Sequence, residues 1–216
     1  MPAATPTTPV TRKKNRSAFW KKQARIWHWM SGAVCLIGML LFAITGITLN
    51  HAAQISAEPQ IVTLTETLPP PLLADLNRVS EQAENTPIPR SVRRHLKSAL
   101  DINVGPQSAE WTDLDVYVPL PRPGGDAWLA IDRGTGEIEY ELTRRGTIAY
   151  LNDLHKGRNT GSIWVLFLDV FSVATILFCL TGLWLLQIHA KKRATTWPLM
   201  FAGLILPALI AIIFIH

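Results

Sequence analysis

Between Trp29 and Asn50 the chain carries no charged side chain. That is about 20 residues, the length an α-helix needs to cross roughly 30 Å of hydrocarbon. A histidine stands at each end, His28 and His51. At 1.5 Å rise per residue they lie about 34 Å apart, one near each face of a membrane. The run is too long for a cleaved signal peptide, and no small-residue cleavage motif follows it, so it reads as an uncleaved anchor. A second apolar stretch, 161–189, has His155 before it and His189 at its end. A third fills 197–216 and contains Pro207, which is expected to kink it.

Charge orients these segments. Arg12, Lys13, Lys14, Arg16, Lys21, Lys22 and Arg25 precede the first stretch with no acid among them, and Lys191, Lys192 and Arg193 follow the second. By the positive-inside rule both clusters face the cytoplasm, which gives three crossings with the N-terminus inside. The net charge of +5 is therefore a topology signal, and nucleic acid is not an expected partner. Phe19, Trp20, Trp27, Trp29, Trp164 and Trp184 read as interfacial aromatics that meet membrane lipid. The two cysteines, Cys35 and Cys179, lie inside apolar segments and read as small packing residues, so the soluble part has no disulfide framework.

The expected organisation is a basic tail over 1–25, a spanning helix over 26–50, a soluble α+β domain over 51–160, a second spanning helix over 161–189, a basic loop over 190–196 and a third helix over 197–216. The Pro- and Thr-rich residues 1–11 read as disordered. Within the soluble domain, 72–85 and 91–100 look helical and 111–119 alternates like one strand. Residues 127–132 and 137–142 read as a hairpin closed by Arg133-Gly134-Thr135-Gly136, with glycine where positive φ is needed.

Four histidines bracket the two central helices, and topology pairs them by side. His28 and His189 fall on the cytoplasmic side, His51 and His155 on the outer side. Imidazole is a common axial ligand of haem iron, so two bis-histidine b-type haems would form an electron path across the membrane. The plainer reading is that histidine is ordinary at a membrane interface. His95 reads as solvated, and His216 is a further candidate for the outer pair. Asp169, the only charge within the second helix, is a functional candidate by default, for proton relay or for pairing with Arg158 or a haem propionate partner; near the interface it needs no such role. A faint echo links Phe42-Ala-Ile-Thr45-Gly46-Ile47 with Phe178-Cys-Leu-Thr181-Gly182-Leu183. Its glycines either permit close helix packing or leave room for a flat macrocycle.

Arg25-x-x-His28-x-x-x-Gly32, then Thr45-Gly46, the soluble unit, Asp153-Leu154-His155-Lys156-Gly157 and Thr181-Gly182 together resemble the PepSY-associated transmembrane proteins of bacteria. The hairpin from Trp128 to Ile138 is similar to the strand–turn–strand of a PepSY module. The resemblance covers about 25–193. It implies a multi-pass bacterial inner-membrane protein with a periplasmic PepSY-like domain. Larger members are haem b reductases of ferric siderophores, and this chain is shorter, with three crossings. The resemblance supports His28 and His155 most directly, and places Gly32, Gly46 and Gly182 beside the ligands. It implies an electron donor of unknown identity, since there is no dinucleotide fingerprint, and an outer acceptor such as a ferric siderophore. A short member is expected to need a partner or to form a homodimer. The competing readings are a haem-free, membrane-anchored interaction protein and an accessory subunit of a respiratory complex.

Overall fold

The computed structural model describes residues 16–55, 58–79, 86–190 and 193–215. Residues 1–11, Arg12, Lys13, Lys14, the end of the helix expected over 72–85, Lys191, Lys192 and His216 lie outside the described residues. The chain divides into two compact units. One joins residues up to Met39 with those from Asp169 onward, and the other is Leu40–Leu168.

Among the described residues three helices are long and apolar enough to cross a membrane: α1 (Arg16–Asn50), α5 (Ser162–Ala190) and α6 (Thr196–Phe214). α1 begins ten residues before the expected start at residue 26. The apolar run marks where lipid begins, whereas Ser17 to Arg25 contain no proline or glycine and simply continue the helix. α6 continues through Pro207 and buries none of its side chains. Such an apolar, outward-facing surface suits lipid rather than water.

In sequence between α1 and α5 come β1 (Gln60–Thr67), α2 (Pro70–Asn77), α3 (Arg90–Leu100), β2 (Glu110–Trp111), β3 (Asp115–Pro119), β4 (Gly125–Asp132), β5 (Glu137–Arg144) and α4 (Thr147–Lys156). The strands form one antiparallel sheet in the order β1-β5-β4-β3-β2. β4 alternates strictly, burying Ala127, Leu129 and Ile131, and β5 buries Ile138 and Leu142. These side chains meet Leu76 of α2 and Val92 and Leu96 of α3, spaced i,i+4 on one helical face.

Three details depart from the sequence reading. The single strand expected over 111–119 is two strands, because the Thr112 hydroxyl accepts the N–H groups of Leu114 and Asp115 and turns the chain back. α2 starts at Pro70, two residues before the helix expected over 72–85, and ends at Asn77 with Arg78 as its C-cap; proline at the first turn lacks only an N–H that has no helical partner. β1 and α4 had no counterpart in the sequence reading. β1 is an edge strand with both faces largely exposed, so it carries no apolar-in, polar-out alternation.

The expected hairpin turn is present. Asp132 Oδ1 accepts the N–H groups of Gly134 and Thr135 and the Thr135 hydroxyl, and Gly136 sits at φ +76°. The Thr135 amide and hydroxyl, then the Gly134 amide, hold the Asp132 carboxyl below the ordinary carboxylate range. A folded pKa below the unfolded one stabilises the fold above about pH 4, and the contribution is lost as pH falls through the folded value. Asp132→Asn should therefore flatten the acid limb of a melting-temperature profile between about pH 2 and pH 5, leaving the neutral limb close to the parent.

Candidate functional site

The Asp153-Leu154-His155-Lys156-Gly157 motif closes α4, and most of its letters have a local task. The buried Asp153 carboxylate accepts the Gly124 N–H at 2.8 Å, fixing α4 to the start of β4. Gly157 ends the helix in the left-handed conformation, φ +68°. The Leu154 carbonyl accepts the Trp164 indole N–H at 2.9 Å. Trp164 is thus half-buried and bonded to protein, where the sequence reading made it an interfacial aromatic. α4 also meets the end of α1 through two residues three apart on each helix. Thr48 donates to Asn152 Oδ1 at 2.9 Å, and His155 Nδ1 lies 2.7 Å from Thr45 Oγ1. The His155 ring packs against Phe42, centroids 4.8 Å apart, and a Cβ at Gly46 would lie 3.8 Å from its Cε1.

The other unit repeats this arrangement with the helices exchanged. His28 of α1 places Nδ1 3.1 Å from the Phe178 carbonyl and 3.2 Å from Thr181 Oγ1 on α5. Its ring stacks on Phe178 at 4.4 Å and 12°. A Cβ on Gly182 would come within 3.1 Å of His28 Cε1, and one on Gly32 within 3.0 Å of Phe178. The two Thr-Gly pairs are therefore the places where a histidine from another helix approaches. The space left by Gly182 holds an imidazole, and that left by Gly32 holds the Phe178 ring.

For three of the four histidines a carbonyl partner fixes the neutral tautomer. A carbonyl only accepts, so His28 carries its proton on Nδ1. His51 Nδ1 bonds the Ile47 carbonyl at 3.0 Å, and His189 Nδ1 bonds the Leu185 carbonyl at 2.8 Å, so both do the same. Thr45 Oγ1 lies within reach of both Leu41 O, at 2.9 Å, and His155 Nδ1, at 2.7 Å; where its hydroxyl donates to the carbonyl, its oxygen accepts from the imidazole. Thr181 likewise donates to Leu177 O at 2.7 Å. His28, His51 and His189, when neutral, therefore keep their lone pair on Nε2, and His155 does so where Thr45 donates to its own helix. A metal-bound histidine commonly has this form, with the other nitrogen donating to protein. His28 and His155 are half-buried, and His51 and His189 are exposed.

Thr45 and Thr181 are residues the sequence reading did not place at the site, although the Thr-Gly echo contained them. Their loss should not be equivalent. In Thr181→Val, His28 keeps the Phe178 carbonyl as acceptor; in Thr45→Val, His155 keeps none. Interhelical hydrogen bonds in membranes are worth about 0.6 kcal/mol on average, and up to about 1.7. Thr45→Val should cost about 1 kcal/mol in detergent melts and Thr181→Val well under half of that. Imidazole ¹⁵N shifts should show tautomer mixing at His155 only.

Among the described residues no three histidine, cysteine or acidic side chains cluster as a bare metal ion would require. A haem asks less of the protein, two axial imidazoles, because the porphyrin supplies four nitrogens. Cys35 is buried and free, and Cys179 is exposed and free. Asp169 is an exposed residue of α5, and among the described residues of its own unit it makes no hydrogen bond or ion pair. His95 is half-buried on α3.

Three membrane-length apolar helices and a small antiparallel α+β domain, with one histidine–threonine contact in each unit, define a membrane protein of the anchored-domain class. The chain belongs to the PepSY-associated transmembrane family, whose model, described as "Putative PepSY_TM-like", matches residues 19–216. No curated protein and no solved structure matches it.

Proposed function

We propose that this chain is a multi-pass protein of a bacterial inner membrane that holds two b-type haems and moves electrons outward across it. His28 with His189 would hold the inner haem, and His51 with His155 the outer one. The observation that carries this reading is the ring orientation: each of the four imidazoles turns Nδ1 to a protein oxygen and leaves Nε2 free for a metal. The donor chemistry of the four side chains thus fits the group. When bound, haem supplies a one-electron ferric/ferrous couple tuned by its axial ligands. The chain's own part is to orient the rings. Phe178 and Thr181 hold His28, and Phe42 and Thr45 hold His155.

Orientation follows from Arg16, Lys21, Lys22 and Arg25 at the start of α1 and Arg193 after α5, which favour the cytoplasmic side. The α+β domain is then periplasmic. There the acceptor would be ferric iron, held as a siderophore, with a donor on the inner side and a second copy or another subunit completing the assembly.

A second reading has support from one observation. His28 is already stacked on Phe178 and bonded across to α5, which is sufficient as helix-to-helix adhesion without haem. The chain would then be a haem-free anchored interaction module. An absorption spectrum of the purified protein, oxidised and then dithionite-reduced, with haem counted per chain, decides between them. Sharp low-spin b-type bands at about two haems per chain support the first reading. A colourless protein from haem-replete cells supports the second.

A further inference from the structure

Arg122, Arg144 and Arg145 line one open hollow of about 430 Å³ in the α+β domain, and Glu58 is the acid beside them among the described residues. All three arginines are exposed, and among the described residues none of their side chains makes a hydrogen bond or ion pair. Elsewhere in the domain, Arg78 pairs with Asp75 and Lys97 with Asp101. The same wall includes Gly146 and Thr147, where the ten-residue helix α4 begins with no side chain capping its first N–H groups.

We propose that this hollow binds a phosphate-type oxyanion. Guanidinium forks match the geometry of phosphate oxygens, and an uncapped helix start adds N–H donors and a favourable dipole. Three exposed arginines line the hollow with Glu58, and the Asp153 carboxylate behind its wall already bonds the Gly124 N–H, so the lining carries an excess of positive charge that favours an anion. Two sources present this chemistry. Arg145, Gly146 and Thr147 also line a second hollow with Ala52 and Ile55, directly after α1 ends at Asn50. A membrane-length helix stops there, within reach of anionic phospholipid headgroups. The other source is a free phosphate compound in the surrounding solution.

The test uses the full chain in neutral detergent. Inorganic pyrophosphate is titrated by calorimetry at low salt. In parallel, the protein is passed through nanodiscs of equal phosphatidylcholine and phosphatidylglycerol, and the retained phosphatidylglycerol is counted by native mass spectrometry. The triple variant Arg122→Gln, Arg144→Gln, Arg145→Gln is compared with Arg90→Gln, Arg94→Gln, Lys97→Gln, which removes the same charge from α3. The expected result is a loss of about tenfold or more in the first variant and little change in the second. Arginine-dependent binding of phosphatidylglycerol alone identifies a headgroup site, and of pyrophosphate alone a free-anion site; either upholds the proposal. Equal behaviour of the two variants in both arms overturns it. Should the glutamine triple lose its thermal transition, Arg122→Lys, Arg144→Lys, Arg145→Lys keeps the charge but not the forks. A several-fold loss is then expected, and parent-like binding overturns the proposal.

Discussion

Purified from haem-replete cells, the His155→Ala variant should carry about half the haem of the parent, and the His28→Ala, His155→Ala double variant essentially none. A b-type haem has no covalent link to its protein, so its retention rests on the axial bonds and the packing around the macrocycle. Each proposed pair draws on one half-buried, bonded imidazole and one exposed one. His28 and His155 are the pre-organised members, so removing either should release the haem of its pair. His51→Ala and His189→Ala remove ligands held only by their own helix, and should leave loosely held or high-spin haem in place of low-spin haem. His95→Ala, on α3, should change nothing in the spectrum. Parent-like Soret intensity and reduced bands in His28→Ala would show that the inner pair is wrongly assigned.

The spanning helices were legible because lipid imposes a signal that no packing detail disturbs. An uncharged run as long as a bilayer is thick has few alternatives. Their ends were less legible: α1 keeps its helical turns through Lys21, Lys22 and Arg25, outside the apolar run, where hydropathy no longer reports helix. In the domain, the hairpin at Asp132–Gly136 and helix α3 were readable because turn chemistry and i,i+4 burial are local. β1 was not, since an edge strand is stabilised by its ladder to β5, a partner some 80 residues away in sequence whose register the sequence does not display.

The site divides in the same way. The histidines stood out as ionisable groups at the ends of apolar runs. Their orienting partners did not, because Thr45 and Thr181 look like ordinary membrane threonines bonded to their own helix carbonyls. Only a tertiary contact shows that each hydroxyl also meets an imidazole nitrogen. The Thr-Gly echo was visible, yet along the sequence Gly46 lies nearest His51 and Gly182 nearest His189. The fold instead sets His155 beside Gly46 and His28 beside Gly182. Direction along an isolated helix does not reveal which neighbour fills a glycine's space.

Gly125→Ala should be among the most destabilising single changes in the domain, about 2–5 kcal/mol, read as a melting temperature lower by about 5–15 °C in detergent. Gly125 opens β4 opposite Arg144 of β5 and is buried. A Cβ there would stand 2.1 Å from the Thr143 carbonyl oxygen and 3.2 Å from its carbon. Those are backbone atoms of the neighbouring strand, so no rotamer change relieves the clash, and β4 must separate from β5 at its first pair. The cost adds overpacking to the ladder hydrogen bonds that open, each worth about 0.5–1.5 kcal/mol. Gly203→Ala is the matched control, since nothing lies within 4 Å of its added methyl and helix propensity favours alanine. It should melt at or slightly above the parent. Gly124→Ala tests the link from domain to site. Its Cβ would meet Tyr150 of α4 at 2.6 Å, at a φ of +73° that alanine resists, while its N–H is the one that Asp153 accepts. That change should displace α4 and with it His155, lowering outer-haem retention as well as stability. Gly125→Ala strains the strand pair and should reduce haem only to the extent that the domain unfolds.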